Sequence, residues 1–316
     1  MHHPSPIYDF LAQAIADGRR TALVTITAVT GASSRNPGTH MAVAEDGSYA
    51  GSFSGGCIEA AVVGEAIEAI KADAIREVRF GAGSRYIDIR LPCGGSVDLL
   101  FNPVREAGVV SLITDQLHAR RPVTVRLPRD RGDLSLVEGG QDWRLVVEKD
   151  ALDLTYIPRL RITIFGHGAA VEALERAASA YGADIAIFTP DREIVERAAA
   201  RGCFARLLRT PTEIPDAVLD RWTAVVFLFH DHDWEPYLLK AMLAQPAHFV
   251  GAMGSRHTHE GRLERLREIG AEQEDLARII SPIGLIPSSR DPETLALSTM
   301  AQVVAGYHSI FMSNRG

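Results

Sequence analysis

The feature that most constrains the fold is a strand, a glycine turn, a helix and a second strand in succession between Leu160 and Asp191. The stretch reads L-R-I-T-I-F-G-H-G-A-A-V-E-A-L-E-R-A-A-S-A-Y-G-A-D-I-A-I-F-T-P-D. Downstream, the apolar runs A-V-V-F-L-F and H-F-V-G-A alternate with expected helices near 236–244 and 262–269. Strands that alternate with helices indicate a parallel sheet with helices on both faces. The sequence therefore predicts a Rossmann-like, doubly wound domain at 159–316.

The preceding residues predict a separate α/β domain. Its expected elements are, in order, a helix over 6–17, a strand over 21–29, a hairpin at 41–53, a helix from 57 to about 72, and strands at 77–80, 86–91 and 97–101. Beyond this the patterns weaken to a helix near 109–118 and short alternating segments. We therefore expect an N-terminal cysteine-bearing α/β domain at 1–104 and a connector with short β segments at 105–158.

The charge balance narrows the classes of partner. A formal net charge of −7 disfavours general binding to nucleic acid or to anionic membrane surfaces. The longest apolar run, 224–229, is far too short to cross a bilayer, and M-H-H-P-S-P-I-Y-D-F has no basic segment followed by an apolar one. We therefore expect a cytoplasmic protein that binds neither nucleic acid nor membranes.

Gly166 and Gly168 match the first two glycines of a dinucleotide-binding turn, whereas the third position is Val171. Asp191 ends the second strand, about where a ribose-binding carboxylate is expected. One interpretation is a nucleotide or pyrophosphate bound at a helix N-terminus. The other is a tight strand-to-helix turn followed by a solvated aspartate.

Four polar residues, H-D-H-D at 230–233, follow the apolar run A-V-V-F-L-F. They lie where open α/β sheets bind ligands. Neighbours along an extended segment point to opposite sides, so all four side chains cannot converge on one metal ion. The alternatives are a ligand-facing His230 or His232, a metal site, and a solvated loop.

The run G-A-M-G-S-R at 251–256 follows another strand and opens another helix. Gly254 exposes the backbone, and Ser255 and Arg256 add donors suited to an anion. The alternative is a helix cap beside an exposed arginine. The three loops, at 166–168, 230–233 and 251–256, are expected at one edge of the sheet. Together they favour an anion pocket more strongly than any one loop does alone.

The chain has three cysteines, with no C-x-x-C pair, which fits neither a disulfide framework nor a structural zinc site. Cys57 follows Gly55 and Gly56 directly and precedes an expected helix, whose N-terminus favours a thiolate. Cys93 lies in P-C-G-G-S. Soft thiolates suit thiophilic metals and sulfur transfer, although free cysteines are often simply buried. Cys203 has an apolar strand context and is expected in the core.

These segments together resemble one known family. A resemblance to the N-terminal domain of the XdhC/CoxI family lies in G-A-S-S-R-N-P-G-T-H-M-A-V, D-G-S-Y-A-G-S-F-S-G-G-C-I-E-A and L-P-C-G-G-S-V-D-L-L-F-N-P. The family's Rossmann-like C-terminal domain is similar at I-F-G-H-G, H-D-H-D, V-G-A-M-G-S-R and P-I-G-L-I-P-S-S-R-D-P-E-T-L-A-L-S. The paired Gly-Gly-Cys-x-Glu and Pro-Cys-Gly-Gly motifs are specific to it.

The resemblance implies a maturation chaperone rather than an enzyme. Such a protein binds molybdenum cofactor, protects it, assists its sulfuration with a cysteine desulfurase, and delivers it to a xanthine dehydrogenase-like molybdoenzyme. The cofactor is molybdopterin, with or without a cytosine nucleotide, and a homodimer is expected. Cys57 and Cys93 become the candidate metal-contacting or sulfur-handling thiols. The candidate cofactor-binding residues are Gly55, Gly56, Cys57, Cys93, Gly166, Gly168, His230, His232, Gly254, Ser255 and Arg256.

Two other functions stay open on the residues themselves. An NAD(P)-dependent oxidoreductase would use the turn at Gly166 and Gly168 together with Asp191, but it leaves the glycine-flanked cysteines unexplained. A sulfurtransferase would use Cys57 as its nucleophile. Binding of a nicotinamide cofactor would favour the first, and catalytic turnover of a persulfide would favour the second.

Overall fold

The structure is a computed structural model that describes residues 3–31, 35–53, 58–86, 94–138, 145–229 and 233–312. The chain forms two compact units, residues 1–158 and residues 159–316. Among the described residues, no helix combines the length and apolar character needed to cross a membrane.

The first unit is an α/β unit with two antiparallel sheets. Its helices are α1 (Ser5–Ala16), α2 (Glu59–Ala72) and α3 (Ala107–His118), and its strands are β1 (Thr21–Thr30), β2 (His40–Ala44), β3 (Tyr49–Ala50), β4 (Arg76–Gly81), β5 (Ser96–Val104), β6 (Val123–Pro128), β7 (Ser135–Val137), β8 (Leu145–Val147) and β9 (Ala151–Tyr156). One sheet has the order β3-β2-β1-β5-β4, and the other has the order β7-β6-β9-β8.

Both faces of the five-stranded sheet are covered, so β1 is buried at each of its first six residues instead of alternating. On one face, Val62, Ala66 and Ile70 of α2 share a cluster with strand side chains. On the other face, α1, α3, β6 and β9 contribute to a second cluster. Residues 105–158 therefore share a core with the five-stranded sheet.

The predicted helices and most predicted strands of this unit are present. The strand expected at 86–91 lies outside the described residues except for Tyr86. The strand β9 was not predicted, although Leu152, Leu154 and Tyr156 alternate inward along it.

A chain of buried polar groups crosses the second cluster. The Thr25 hydroxyl lies 2.9 Å from His40 Nδ1, and the Tyr156 hydroxyl lies 2.7 Å from His40 Nε2. Tyr156 in turn is hydrogen-bonded to the Tyr8 hydroxyl at 2.9 Å. Because burial disfavours the charged imidazolium, it lowers the pKa of His40 to about 3. The histidine is therefore neutral in the folded protein at physiological pH.

The second unit alternates strands and helices. Its elements are β10 (Arg161–Gly166), α4 (Ala169–Tyr181), β11 (Asp184–Thr189), α5 (Arg192–Ala200), β12 (Phe204–Leu207), β13 (Thr223–Leu228), α6 (Glu235–Leu243), β14 (Phe249–Ala252), α7 (Arg256–Glu268), α8 (Gln273–Leu276), β15 (Ile279–Ile280) and α9 (Pro292–Met312). The strands form one parallel sheet in the order β12-β11-β10-β13-β14-β15.

This sheet confirms the predicted Rossmann-like, doubly wound fold. Side chains of α6 and α7 join Phe227 and Val250 in one core cluster, whereas α4 packs against β10, β11 and α9. The chain runs outward from β10 to β12 and then returns to the opposite side of β10 as β13. Ligands of such sheets bind outside the carboxyl ends of the strands where this order reverses.

Candidate functional site

The turn after β10 has the geometry that its glycines predicted. Gly166 pairs with Leu228 of β13, and a Cβ added at Gly166 would lie 2.7 Å from the Leu228 carbonyl oxygen. Gly168 has a φ of +78° at the N-cap of α4 and is exposed. The strand therefore passes directly into α4 with the helix N-terminus at the carboxyl edge of the sheet. Ligand contact by Gly166 and Gly168 stays a prediction.

Asp191 has a local role that was not predicted. It is the N-cap of α5, and its Oδ1 accepts hydrogen bonds from the backbone N–H groups of Glu193 at 2.9 Å and Ile194 at 3.3 Å. An aspartate at this position stabilises a helix start without any ligand. The cap accounts for Asp191 without a nucleotide ribose.

Ser255 caps α7 at the carboxyl end of β14. Its hydroxyl accepts a hydrogen bond from the Thr258 backbone N–H at 3.1 Å. Gly254 has a φ of +139°, and a Cβ there would lie 2.8 Å from Thr258 Cγ2. Arg256 is exposed at the first residue of α7. The loop thus places a helix N-terminus beside a guanidinium group. The helix α7 begins six residues before the helix expected near 262–269.

A buried ion pair holds this loop in place. Arg262 and Glu235 are 4% and 3% exposed, and Arg262 Nε lies 2.8 Å from Glu235 Oε2. The guanidinium also donates to the Met253 carbonyl oxygen at 2.6 Å and to the Ser281 hydroxyl at 3.0 Å. One side chain therefore ties α6 and α7 to the residues that follow β14 and β15.

His230, Asp231 and His232 lie outside the described residues. The fourth polar residue of that run, Asp233, is exposed and lies 3.8 Å from Arg265. Among the residues that the structure describes, no group of three or more His, Cys, Asp or Glu side chains could hold a metal ion.

Gly55, Gly56, Cys57 and Cys93 also lie outside the described residues. The residues on either side of the two cysteine segments are described, however, and they meet in the first unit. Phe53 and Ile58 flank the first segment, Val97 follows the second, and all three belong to the cluster beneath α2. The described residues that flank the two cysteine segments therefore belong to one cluster.

The prediction that Cys203 lies in the core is wrong. The residue is partly exposed just before β12, and its thiol donates to Glu175 Oε1 at 3.2 Å. Burial, followed by this bond to a carboxylate, raises the pKa of the Cys203 thiol. Glu175 in turn accepts from Arg201 Nε at 3.0 Å. The polar pair beside Cys203 explains why an apolar sequence context was misleading.

The two units define a class of protein: a Rossmann-like domain follows an α/β domain whose sequence carries glycine-flanked cysteines. A family model described as the XdhC Rossmann domain matches residues 162–303, and one described as the XdhC and CoxI family matches residues 14–81.

Sequence similarity to known proteins agrees with the matches to the two family models. The chain is 34% identical over 299 residues to the molybdenum cofactor insertion chaperone PaoD of Escherichia coli, covering 95% of this chain and 87% of PaoD. It is 25% identical over 150 residues to the uncharacterized E. coli protein YqeB, covering 46% of this chain and 27% of YqeB.

The fold also matches a solved structure. A Bacillus halodurans protein described as a xanthine dehydrogenase superimposes with a TM-score of 0.72, covering 96% of each chain at 22% identity. At that identity the likeness concerns the fold alone. On the strength of the family matches and the identity to PaoD, the chain belongs to the XdhC/CoxI family.

Proposed function

We propose that this protein binds molybdenum cofactor as cargo and delivers it to a molybdoenzyme of the xanthine dehydrogenase class. The observation that carries the proposal is the 34% identity to a molybdenum cofactor insertion chaperone over 95% of the chain. On this proposal the protein is a cytoplasmic homodimer that also protects the cofactor. It assists sulfuration of the cofactor together with a cysteine desulfurase, and the cargo is molybdopterin or its cytosine dinucleotide form.

The carboxyl edge of the parallel sheet supports an anion site for the cargo phosphate. Gly168 and Ser255 begin the helices α4 and α7, whose N-termini carry partial positive charge. Arg256 adds a full positive charge at the start of α7, where no acidic residue lies in the first turn. A cation at a helix N-terminus is unfavourable unless an anion binds there. A phosphate bound there would attract both the Arg256 guanidinium and the helix N-terminus and so offset their mutual repulsion. This supports Arg256 as a phosphate contact.

The cysteine segments support a second contact in the first unit. Cys57 lies next to α2 in the sequence, and Cys93 belongs to the segment that ends near Val97. Thiolates bind thiophilic metals and transfer sulfur. We assign the contact with the metal, or with its sulfur ligand, to these two cysteines. By contrast, the structure explains Asp191 as the cap of α5, so no specific observation favours the oxidoreductase.

Replacing Arg256 by alanine should weaken molybdopterin binding by about 1.5–3 kcal/mol, the size of a charge-assisted hydrogen bond. The protein should stay folded, because alanine is a better residue than arginine at the start of a helix. The measurement is the dissociation constant of molybdopterin for the purified variant. Arg267→Ala, at the opposite end of α7, is the matched control and should bind like the wild type. Equal affinity of Arg256→Ala and wild type would remove Arg256 from the site.

A further inference from the structure

Arg262 is a buried arginine that joins the ends of two neighbouring strands. All three nitrogens of its guanidinium donate hydrogen bonds: Nε to the Glu235 carboxylate at 2.8 Å, and the two Nη atoms to the Ser281 hydroxyl at 3.0 Å and the Met253 carbonyl oxygen at 2.6 Å. Met253 follows β14 directly, and Ser281 follows β15 directly. Because the guanidinium is a rigid planar fork, these bonds fix the positions of the three partners relative to one another.

A buried ion pair adds little stability that apolar side chains would not supply. Removing two charges from water costs about as much free energy as their attraction returns, and apolar side chains of similar size often stabilise a core equally well. Apolar side chains cannot, however, donate directed hydrogen bonds to Met253 and Ser281. The distinctive contribution of Arg262 is therefore a fixed geometry at the ends of β14 and β15.

The contact with Met253 acts on the residues of the proposed anion site. Met253 is bonded to Gly254, and a Cβ added at Gly254 would lie 3.4 Å from an Nη atom of Arg262. The guanidinium therefore lies directly against the backbone of the loop. At the far end of the loop, the Ser255 hydroxyl lies 2.9 Å from the hydroxyl of Thr258, which is one turn before Arg262 on α7. Arg262 thus holds the loop from within the core, and the cap of α7 holds its end.

We propose that Arg262 is a positioning residue, which holds residues 253–256 in the conformation in which Arg256 binds the phosphate of the cargo. Arg262 does not contact the phosphate itself, because it is buried and its three guanidinium nitrogens already donate to protein acceptors. The part that concerns cargo rests on the proposed function. The part that concerns the conformation of the loop does not, because it follows from the contacts of Arg262 alone.

The test is a double variant, Arg262→Met combined with Glu235→Gln. Replacing Arg262 alone would leave the Glu235 charge buried without its partner, whereas the double variant removes both charges and should stay folded. Without any cargo, amide hydrogen exchange at residues 254–258 should become at least ~10-fold faster, because the loop has lost its contact with the core. Molybdopterin affinity should fall about 10-fold, because binding must then order the loop.

A second comparison separates positioning from a general loss of stability. If Arg262 acts through Arg256, the double variant should lower molybdopterin affinity by less than about 3-fold when Arg256 is already alanine, because the contact that the loop holds in place is then gone. A merely structural effect would lower the affinity by the same factor in both backgrounds. Arg262→Lys keeps a positive charge beside Glu235 but has one nitrogen in place of three, so it should show the same losses. It serves as the test if the double variant fails to fold.

Arg278→Met is the matched control. Arg278 also donates to backbone carbonyl groups, those of Leu243, Gln245 and Ala247, but these residues precede β14 and so lie at the opposite edge of the sheet. The substitution should lower the melting temperature, because these carbonyl groups lose a donor. It should change neither molybdopterin affinity nor hydrogen exchange at residues 254–258.

Each result has a distinct meaning. Wild-type hydrogen exchange at residues 254–258 in the Arg262 variants would overturn the claim that Arg262 fixes the loop. Wild-type molybdopterin affinity in these variants, or an equal loss of affinity with and without Arg256, would overturn the positioning role. If the wild type itself binds no molybdopterin, the proposed function fails, whereas hydrogen exchange still decides whether Arg262 holds the loop.

Discussion

Cys57→Ser is expected to abolish transfer of active cofactor to an apo-hydroxylase while leaving the fold nearly intact. A hydroxyl group is similar in size to a thiol, but it cannot ligate a thiophilic metal or carry a persulfide. The measurement is the activity recovered by a purified apo-enzyme of the xanthine dehydrogenase class after incubation with the loaded variant, alongside the thermal unfolding of the variant.

Cys203→Ser is the control for this substitution. The Cys203 thiol donates to Glu175 at 3.2 Å, and a serine hydroxyl can donate to the same carboxylate, so both transfer and stability should change little. The Cys93→Ser variant then shows which of the two candidate thiols, Cys57 or Cys93, is needed for transfer. If Cys57→Ser loads the partner enzyme at the wild-type rate and Cys93→Ser does not, the sulfur-handling role belongs to Cys93.

The protein is expected to lose about 3 kcal/mol of stability between pH 7 and pH 4 through His40 alone. Burial lowers the pKa of His40 to about 3, whereas the unfolded chain takes up this proton near pH 6.5. Between these values the unfolded state binds more protons than the folded state, so stability rises with pH. The contribution is therefore fully present above about pH 6.5 and is lost as the pH falls towards 3.

The measurement is the free energy of unfolding from pH 7 to pH 4, compared between wild type and His40→Gln. Because glutamine does not titrate, the pH dependence of the variant should be shallower by about 1.4 kcal/mol per pH unit. Tyr156→Phe is the control: it removes the hydroxyl 2.7 Å from His40 but keeps the imidazole buried, so its curve should run parallel to the wild-type curve. Parallel curves for wild type and His40→Gln would show that His40 is not the titrating group.

The backbone of the second unit could be predicted because its signals are local. The strand β10, the turn at Gly166 and Gly168, and the helix α4 each follow from hydrophobic period and glycine position within about twenty residues. Hydrophobic period alone placed the start of α7 near 262, because its first turn is polar, whereas the run G-A-M-G-S-R indicated a helix start at 256. The Ser255 cap, which defines that start, depends on a hydrogen bond to Thr258.

Two buried charges, Glu59 of α2 and Arg262 of α7, could not be predicted in the same way. In the sequence, Glu59 and Arg262 look like exposed charges on amphipathic helices, since most such residues are solvated. Their burial depends on partners supplied by the fold: the N–H groups of Phe53 and Ile58 for Glu59, and the Glu235 carboxylate for Arg262. The Gly-Gly-Cys-x-Glu motif was the available signal for Glu59, because it places the carboxylate two residues after the cysteine.

The role of Asp191 could not be predicted from the sequence for a different reason. An acidic residue at the end of the second strand fits a ribose contact and a helix cap equally well, because both need an oxygen acceptor at the same point of the chain. Only the hydrogen bonds to Glu193 and Ile194 show that it caps α5. Ser255 was open to an anion contact or a helix cap, and there the two are compatible.

The pterin content of the purified protein shows whether this chain carries molybdenum cofactor. The chain is produced in a host that synthesises molybdenum cofactor and in one that does not, and each preparation is oxidised to convert bound molybdopterin to fluorescent pterins. We expect pterin only in the protein from the first host, at a molar ratio to chain that saturates when molybdopterin is added. No pterin above background in either preparation, with none retained after addition of molybdopterin, would contradict the claim that this chain carries molybdenum cofactor.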